Sequence, residues 1–334
     1  MAIRRIVVIG ASLGGVEALQ RLVATLDANL SAPVLIVLHL GPESPSMLHH
    51  ILGRAGSLAV VQPEDGDALV AKRIYVAPPD RHLLVEKERV RVVRGPRENR
   101  HRPAVDPLFR SAAAVYGRQV IGVVLTGSLD DGAAGLLAIK QRGGIALVQD
   151  PQDAYCASMP QSAMDAVKPN YIVPLAEIGP LINRLILEPI TREPGVTPGD
   201  LRYQLKIAEV NMEAIEGTGR PGSPSPFACP ECHGVLWESV EGDSVSFRCR
   251  VGHAYSPASL AAEHSVALEG ALWAALRALE ESASLAERMA KRAGDRQNAK
   301  LANRFYEQAK DKKEQSRLMR QVLTDNKELI LDVH

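Results

Sequence analysis

The sequence predicts an α/β fold built on a doubly wound, mainly parallel sheet, followed by a small zinc ribbon and an α-helical hairpin. Three observations predict it. From Arg5 to about Leu187, short β-branched runs alternate with helical patterns, the rhythm of βαβ units in a Rossmann-like domain. Three of the four cysteines crowd into residues 229–249. Beyond residue 258, apolar side chains recur at three- and four-residue steps. The chain has 334 residues, more than one domain usually holds. Hydrophobic residues make up 46% of it and aromatic ones only 4%, so its core must come from Val, Ile, Leu and Ala packed between layers.

In order, IVVI at Ile6–Ile9 reads as the first strand, GGVEALQRLVATL as a helix, and VLIVLHL as a second strand. RIYVAP, HLLVE and RVRVVR follow so closely that they read as an antiparallel excursion, which makes the expected sheet mixed. VIGVVLTG and GGIALVQD then flank another helix, and LAEIGPLINRLIL closes the domain, which spans residues 1–187. Residues 188–226 read as a linker, punctuated by Pro189, Pro194, Pro198, Pro221, Pro224 and Pro226. Within it Leu201, Leu205, Ala208 and Met212 fall at helical spacing. Residues 227–257 carry the cysteine cluster, and residues 258–334 form a helical tail. In the tail, Leu260, Leu268, Leu272, Leu276, Leu279, Ala283 and Ala286 share one helix face, and Ala302, Phe305 and Ala309 another.

Charge and hydropathy exclude several classes of function. Lys plus Arg equals Asp plus Glu at 39 each, so no net field favours a polyanion, and no nucleic-acid partner is expected. The apolar run after Arg5 is too short for a secretory signal, and no stretch reaches the roughly 20 apolar residues of a membrane span. No membrane insertion is expected, and clustered thiols point to a reducing, cytoplasmic setting.

The sharpest motif is Gly10-Ala11-Ser12-Leu13-Gly14-Gly15, directly after a strand and directly before a helix. In a dinucleotide fingerprint the middle glycine lets backbone approach a pyrophosphate, and here Ser12 takes that place. Read as G-x-S-x-G, the turn instead presents a serine hydroxyl at the carboxyl edge of the sheet, with helix amides behind it for a developing oxyanion. A plain helix cap is the competing role. Serine is a weak nucleophile and needs a base and a group to orient it. His39 ends the second strand, at the same edge. His49 and His50 in a helix, and His82 at a hairpin strand, are weaker candidates. The orienting carboxylate can come from Asp130 or Asp131, both just past a third strand end, with Asp131 nearer the following helix. Each residue alone could be structural. Their coincidence at strand tips, where open α/β sheets place sites, favours catalysis. The order Ser, His, Asp differs from that of ordinary α/β-hydrolases.

The segments IGASLGGVEAL, VLHLGPESP, NRHRPAVDPLF, LTGSLDDGAAGL and SMPQSAM resemble, in this order, the signature stretches of the chemotaxis protein-glutamate methylesterase (CheB) catalytic domain, over about residues 3–187. The resemblance implies that Ser12 attacks a γ-glutamyl methyl ester on a chemoreceptor helix, that His39 shuttles the proton, and that Asp131 rather than Asp130 orients His39. It implies a protein-glutamine deamidase activity by the same acyl-enzyme route. It further assigns Leu13, Ser128, His101 and Met159 to the oxyanion hole or cleft, places Arg102 beside them, and sets Cys156 near the rim. Leu13 stands where the family often has threonine, and Ser128-Leu129 replace its usual Met-Gly. The family's receiver domain does not precede the motif, so regulation is expected from a separate protein. The expected partner is a methyl-accepting chemoreceptor or a similar helical protein. The alternatives are an esterase or deamidase on a non-receptor substrate, or a non-catalytic signalling adaptor.

Cys229-Pro-Glu-Cys232, sixteen residues, then Cys249-Arg-Val-Gly-His253 has the spacing of a structural zinc ribbon with three thiolates and one imidazole. His233 is a substitute ligand. So small a module buries little core, and zinc binding worth on the order of 10 kcal/mol would supply its folding energy. Four filled positions leave no open site, so no cofactor is expected for catalysis.

Overall fold

The computed structural model describes residues 3–190, 222–241 and 244–325. The helix expected around Leu201–Met212 lies outside the described residues.

Strands β1 (Ile6–Ala11), β2 (Val34–Leu38), β3 (Ala59–Val61), β4 (Arg73–Val76), β7 (Val120–Val124), β8 (Ile145–Gln149) and β9 (Tyr171–Val173) form one seven-stranded sheet in the order β3-β4-β2-β1-β7-β8-β9. Every pairing in it is parallel. The expected mixed sheet is therefore corrected: Arg73–Val76 joins the main sheet beside β2, while β5 (His82–Glu86) and β6 (Arg89–Val93) pair antiparallel in a sheet of their own. Residues 62–72, between β3 and β4, contain no helix, so the crossover lacks the pattern that marks a βαβ unit and the close spacing reads as a meander. The three-residue β3 and β9, neither of them apparent from the sequence, are partly exposed edge strands with little apolar signal.

Side-chain alternation along the strands feeds two cores. Val7, Ile9, Val34 and Ile36 face α1 (Gly15–Ala24), α2 (Leu48–Ala55) and α6 (Leu175–Leu187). Ile6, Val8, Leu35 and Val37 face α3 (Val105–Tyr116), α4 (Ala133–Gln141), α5 (Ser158–Ala166) and the β5-β6 hairpin. Covering both faces makes β1, β2, β7 and β8 wholly buried, as a parallel sheet requires.

The cysteine module forms a four-stranded antiparallel sheet, β10 (Ser223–Ala228), β11 (Val235–Glu241), β12 (Ser244–Cys249) and β13 (Ala254–Tyr255). Its core is small: Cys229, Leu236, Phe247, Cys249, Tyr255 and Leu260. The chain forms two compact units, the first ending at Leu260, so this module belongs to the same unit as the seven-stranded sheet. The second unit, from Ala261, holds most of α7 (Pro257–Asp295) and all of α8 (Ala299–Asp325). Ion pairs Glu287–Lys313 and Glu280–Arg320 run in opposite sequence directions, which makes the two helices an antiparallel hairpin. Asn298 caps α8, its Oδ1 accepting the Leu301 amide. Among the described residues no helix is long and apolar enough to cross a membrane.

Candidate active site

Strand register brings the three candidate residues together. Ala11 pairs with Leu38 and Gly10 with Val124, so the first residues past β1, β2 and β7 meet at the carboxyl edge of the sheet. The His39 amide donates to the Ala11 carbonyl at 3.2 Å, and the Ser12 amide donates to the Thr126 carbonyl at 3.0 Å. The chain then turns into α1 through Gly14, whose φ of 76° is left-handed and open to glycine, and the Gly15 amide closes the turn on the Ser12 carbonyl at 2.8 Å.

Within that frame Ser12 Oγ lies 3.0 Å from His39 Nδ1, and His39 Nε2 lies 2.7 Å from Asp131 Oδ2. The carboxylate can only accept from Nε2, so the ring is protonated there and its Nδ1 lone pair faces the serine hydroxyl. Asp131, not Asp130, makes this contact. Asp130 Oδ1 instead accepts from Ser256 Oγ at 2.7 Å.

Asp131 is 2% exposed and accepts four hydrogen bonds. Besides His39, the amides of Val105 (2.6 Å) and Asp106 (3.1 Å) donate to it from the N-terminus of α3, and Asn99 Nδ2 donates at 3.0 Å. Burial works to raise its pKa, but the hydrogen bond and charge of His39, with the Val105 and Asn99 donors, hold the carboxyl well below the usual range. Asp106 mirrors this arrangement, accepting the Gly132 and Gly135 amides at the start of α4 at 3.0 and 2.7 Å. Burial first, then the Asp131 charge, pushes Asp106 up to about 7.

His101 stacks on His39, with ring centroids 3.7 Å apart and planes 11° apart. Burial, then the neighbouring His39, lowers its pKa to about 3, so the stacked ring is neutral at any working pH. Met159 is buried, and its amide donates to the Gly127 carbonyl at 2.8 Å. Leu13 is exposed, and its carbonyl accepts from Thr126 Oγ1 at 2.9 Å. Ser128 Oγ lies 3.7 Å from Cys156 Sγ. Leu129 sits at φ 61°, and its carbonyl accepts from Ser158 Oγ at 3.0 Å. Arg102 turns away from the triad to pair with Asp80. Asn99, Asp106 and Thr126 were not singled out from the sequence. All three lie inside the segments NRHRPAVDPLF and LTGSLDDGAAGL that carry the family resemblance, but their residue types alone assign no role: Asp106, in the first turn of a helix, reads as an ordinary capping acid.

Cys229, Cys232, Cys249 and His253 converge with their ligand atoms all within 4.8 Å of one another. Cys232 Sγ and Cys249 Sγ are 3.5 Å apart, and His253 Nδ1 is 3.7 and 3.6 Å from Cys229 and Cys249 Sγ. Zn–S bonds of about 2.3 Å in a tetrahedron put ligands about 3.8 Å apart, so the four residues fit a metal ion. Glu231 approaches His253 Nε2 at 3.3 Å, the outer carboxylate that metal-bound imidazoles commonly have. His233 stays outside the group, its amide donating to the Cys229 carbonyl at 2.8 Å.

The N-terminal half of the chain is similar to known proteins. A Leptospira interrogans protein whose name gives protein-glutamate methylesterase/protein-glutamine glutaminase is 40% identical over 180 residues, covering 54% of this chain and 93% of that one. A Pyrococcus abyssi protein named protein-glutamate methylesterase/protein-glutamine glutaminase is 35% identical over 184 residues, and the match covers 54% of this chain and 50% of that protein. The crystal structure of the Thermotoga maritima CheB methylesterase catalytic domain superposes with a TM-score of 0.52 at 31% identity, covering 54% of this chain and 98% of that one. Residues 7–182 match the family described as CheB methylesterase, and the chain belongs to that family.

Proposed function

We propose that this chain is a protein-glutamate methylesterase that removes methyl esters from glutamate side chains of methyl-accepting chemoreceptors. The observation that carries the proposal is the hydrogen-bonded series Ser12, His39, Asp131 at the carboxyl edge of the sheet. Ser12 Oγ attacks the ester carbonyl carbon while His39 Nδ1 takes its proton. Asp131 remains ionised and stabilises the imidazolium through Nε2. Collapse of the tetrahedral intermediate breaks the bond to the methoxy group, which leaves as methanol with the proton from His39. Water, deprotonated by the same imidazole, then cleaves the acyl-enzyme to release glutamate and restore Ser12.

The backbone amides of Leu13 and Ser128 are the proposed oxyanion donors. His101 and Met159 line the cleft, the first as a neutral ring over His39. The glutamine deamidase reading follows from the same steps with ammonia leaving, and the relatives' names, which give both activities, favour it as a second activity. Zinc is the ion proposed for Cys229, Cys232, Cys249 and His253, in a structural role, and the enzyme is assigned to the cytoplasm, where such thiols stay reduced. A separate regulatory protein is the proposed control.

The test is methanol release from a methylated chemoreceptor fragment. Wild type is expected to release it and Ser12→Ala to lose roughly 10⁴-fold or more in kcat. Equal release by the two proteins would overturn the triad. Release of acyl product only from small esters would move the substrate away from receptors.

A further inference from the structure

The loop at residues 97–101 joins the triad to the cysteine module. On the backbone, the Asn99 amide donates to the Ala254 carbonyl at 2.8 Å and the Ala254 amide donates to the Arg97 carbonyl at 3.2 Å, a parallel bridge onto β13. On the side chains, buried Glu98 pairs with Arg110 of α3 and with Arg248 of β12. Carboxylate burial costs several kcal/mol, so the two guanidinium groups are what make this loop position stable.

Asn99 itself is 7% exposed and uses its whole hydrogen-bonding capacity. Its Nδ2 donates to Asp131 Oδ1 and to Asp106 Oδ2, both at 3.0 Å, and so separates two buried carboxylates with the donor that both need. Its Oδ1 accepts the Ser256 amide at 3.0 Å and Ser259 Oγ at 3.2 Å. Ser256 follows directly on β13 and Ser259 sits in the first turn of α7, three and six residues after His253. They fix which end of the amide faces the triad: a flip would set oxygen against two carboxylates and nitrogen against a backbone N–H. The backbone φ of 47° at Asn99 is one that asparagine tolerates better than most residues.

We propose that Asn99 is a positioning residue for Asp131 and that the cysteine-rich module, with the first turn of α7 that follows it, acts on the reaction through it. The inference rests on the esterase reading. It makes the module part of the machinery that aims His39, since Asp131 orients that ring and Asn99 orients Asp131.

The test is a double-mutant cycle on the full chain with bound metal, using p-nitrophenyl acetate as a small activated ester and counting active sites with a fluorophosphonate. Asn99→Gly removes the side chain and keeps the left-handed backbone. It is expected to lower kcat per labelled site roughly tenfold with KM unchanged, the size of one lost hydrogen bond to a charged group. Ser259→Ala, which keeps the Ser256 amide donor, is expected to lower kcat about threefold in wild type and to have no effect in the Asn99→Gly background. Ser259→Ala acting equally in both backgrounds, or Asn99→Gly turning over at the wild-type rate, would overturn the proposal and leave the esterase reading intact. A wild-type chain that neither labels at Ser12 nor turns over would overturn both. Because rates are normalised to labelled sites, a fall in folded fraction alone would leave kcat unchanged and would count against the proposal.

Discussion

Asp131 shows how much one side chain is asked to do. All four of its hydrogen bonds come from donors, two at each oxygen, so no orientation of an amide can replace the carboxylate without turning an N–H toward two others. Asp131→Asn is therefore expected to force His39 into the tautomer that cannot accept the Ser12 proton, lowering kcat about 10⁴-fold. A variant within tenfold of wild type would show that Asp131 is only a cap for α3. The same carboxylate ties stability to pH. Burial raises its pKa and that of Glu98, but His39 with the amide donors, and Arg110 with Arg248, pull both below the unfolded value. A depressed carboxyl stabilises the fold above its unfolded pKa of about 4, and this contribution fades as pH falls toward the folded pKa. Thermal melting is expected to drop steeply between about pH 4 and pH 2, and less steeply in Arg248→Gln, whose Glu98 is already raised. A melting temperature flat across that interval would contradict this account.

Between elements, the site is a consequence of register. Ser12, His39 and Asp131 were legible in the sequence because each follows a strand that reads clearly, and strand ends in parallel sheets share an edge. The parts that were not legible depend on contacts between segments far apart in the chain. Nothing about the residue type of Asn99 tells that it will lie between Asp106 and Asp131, and nothing in RIYVAP tells that β4 will pair with β2 rather than with its neighbour in sequence. Gly127, three residues past β7 on the way to Asp131, is a further case. A Cβ there would lie 2.1 Å from Met159 Sδ and 2.7 Å from Ser12 Cβ. The methionine can move, but Ser12 is anchored by its turn. Gly127→Ala is expected to displace Ser12 by a fraction of an ångström and to slow its fluorophosphonate labelling by roughly 10²-fold, with the fold retained. Labelling at the wild-type rate would mean that the turn yields without cost.

At the scale of the molecule, the two parts of the first unit are held by different means. The seven-stranded sheet has an extensive apolar core on each face, whereas the cysteine module buries a handful of residues, two of them cysteines of the metal group. The spacing of Cys229, Cys232, Cys249 and His253 shows in the sequence because four groups able to hold one ion are constrained along the chain as well as in space. The module's place against the loop at residues 97–101 does not, since that depends on Glu98 and Asn99 finding Arg248 and Ala254 about 150 residues later. A core this small cannot offset the conformational entropy of its own strands, so the metal is expected to carry the difference. Metal removal by chelation under reducing conditions should then abolish hydrogen-exchange protection in β11 and β12, and also at the Asn99 amide, whose acceptor lies on β13. Amides of β1 and β7, closed into the sheet on both sides, should stay protected. Protection that persists across β11 and β12 after elemental measurement finds no metal would show that the module folds on its apolar contacts alone. Loss of protection in β1 as well would show that the sheet depends on the module for its stability, a stronger coupling than these contacts predict.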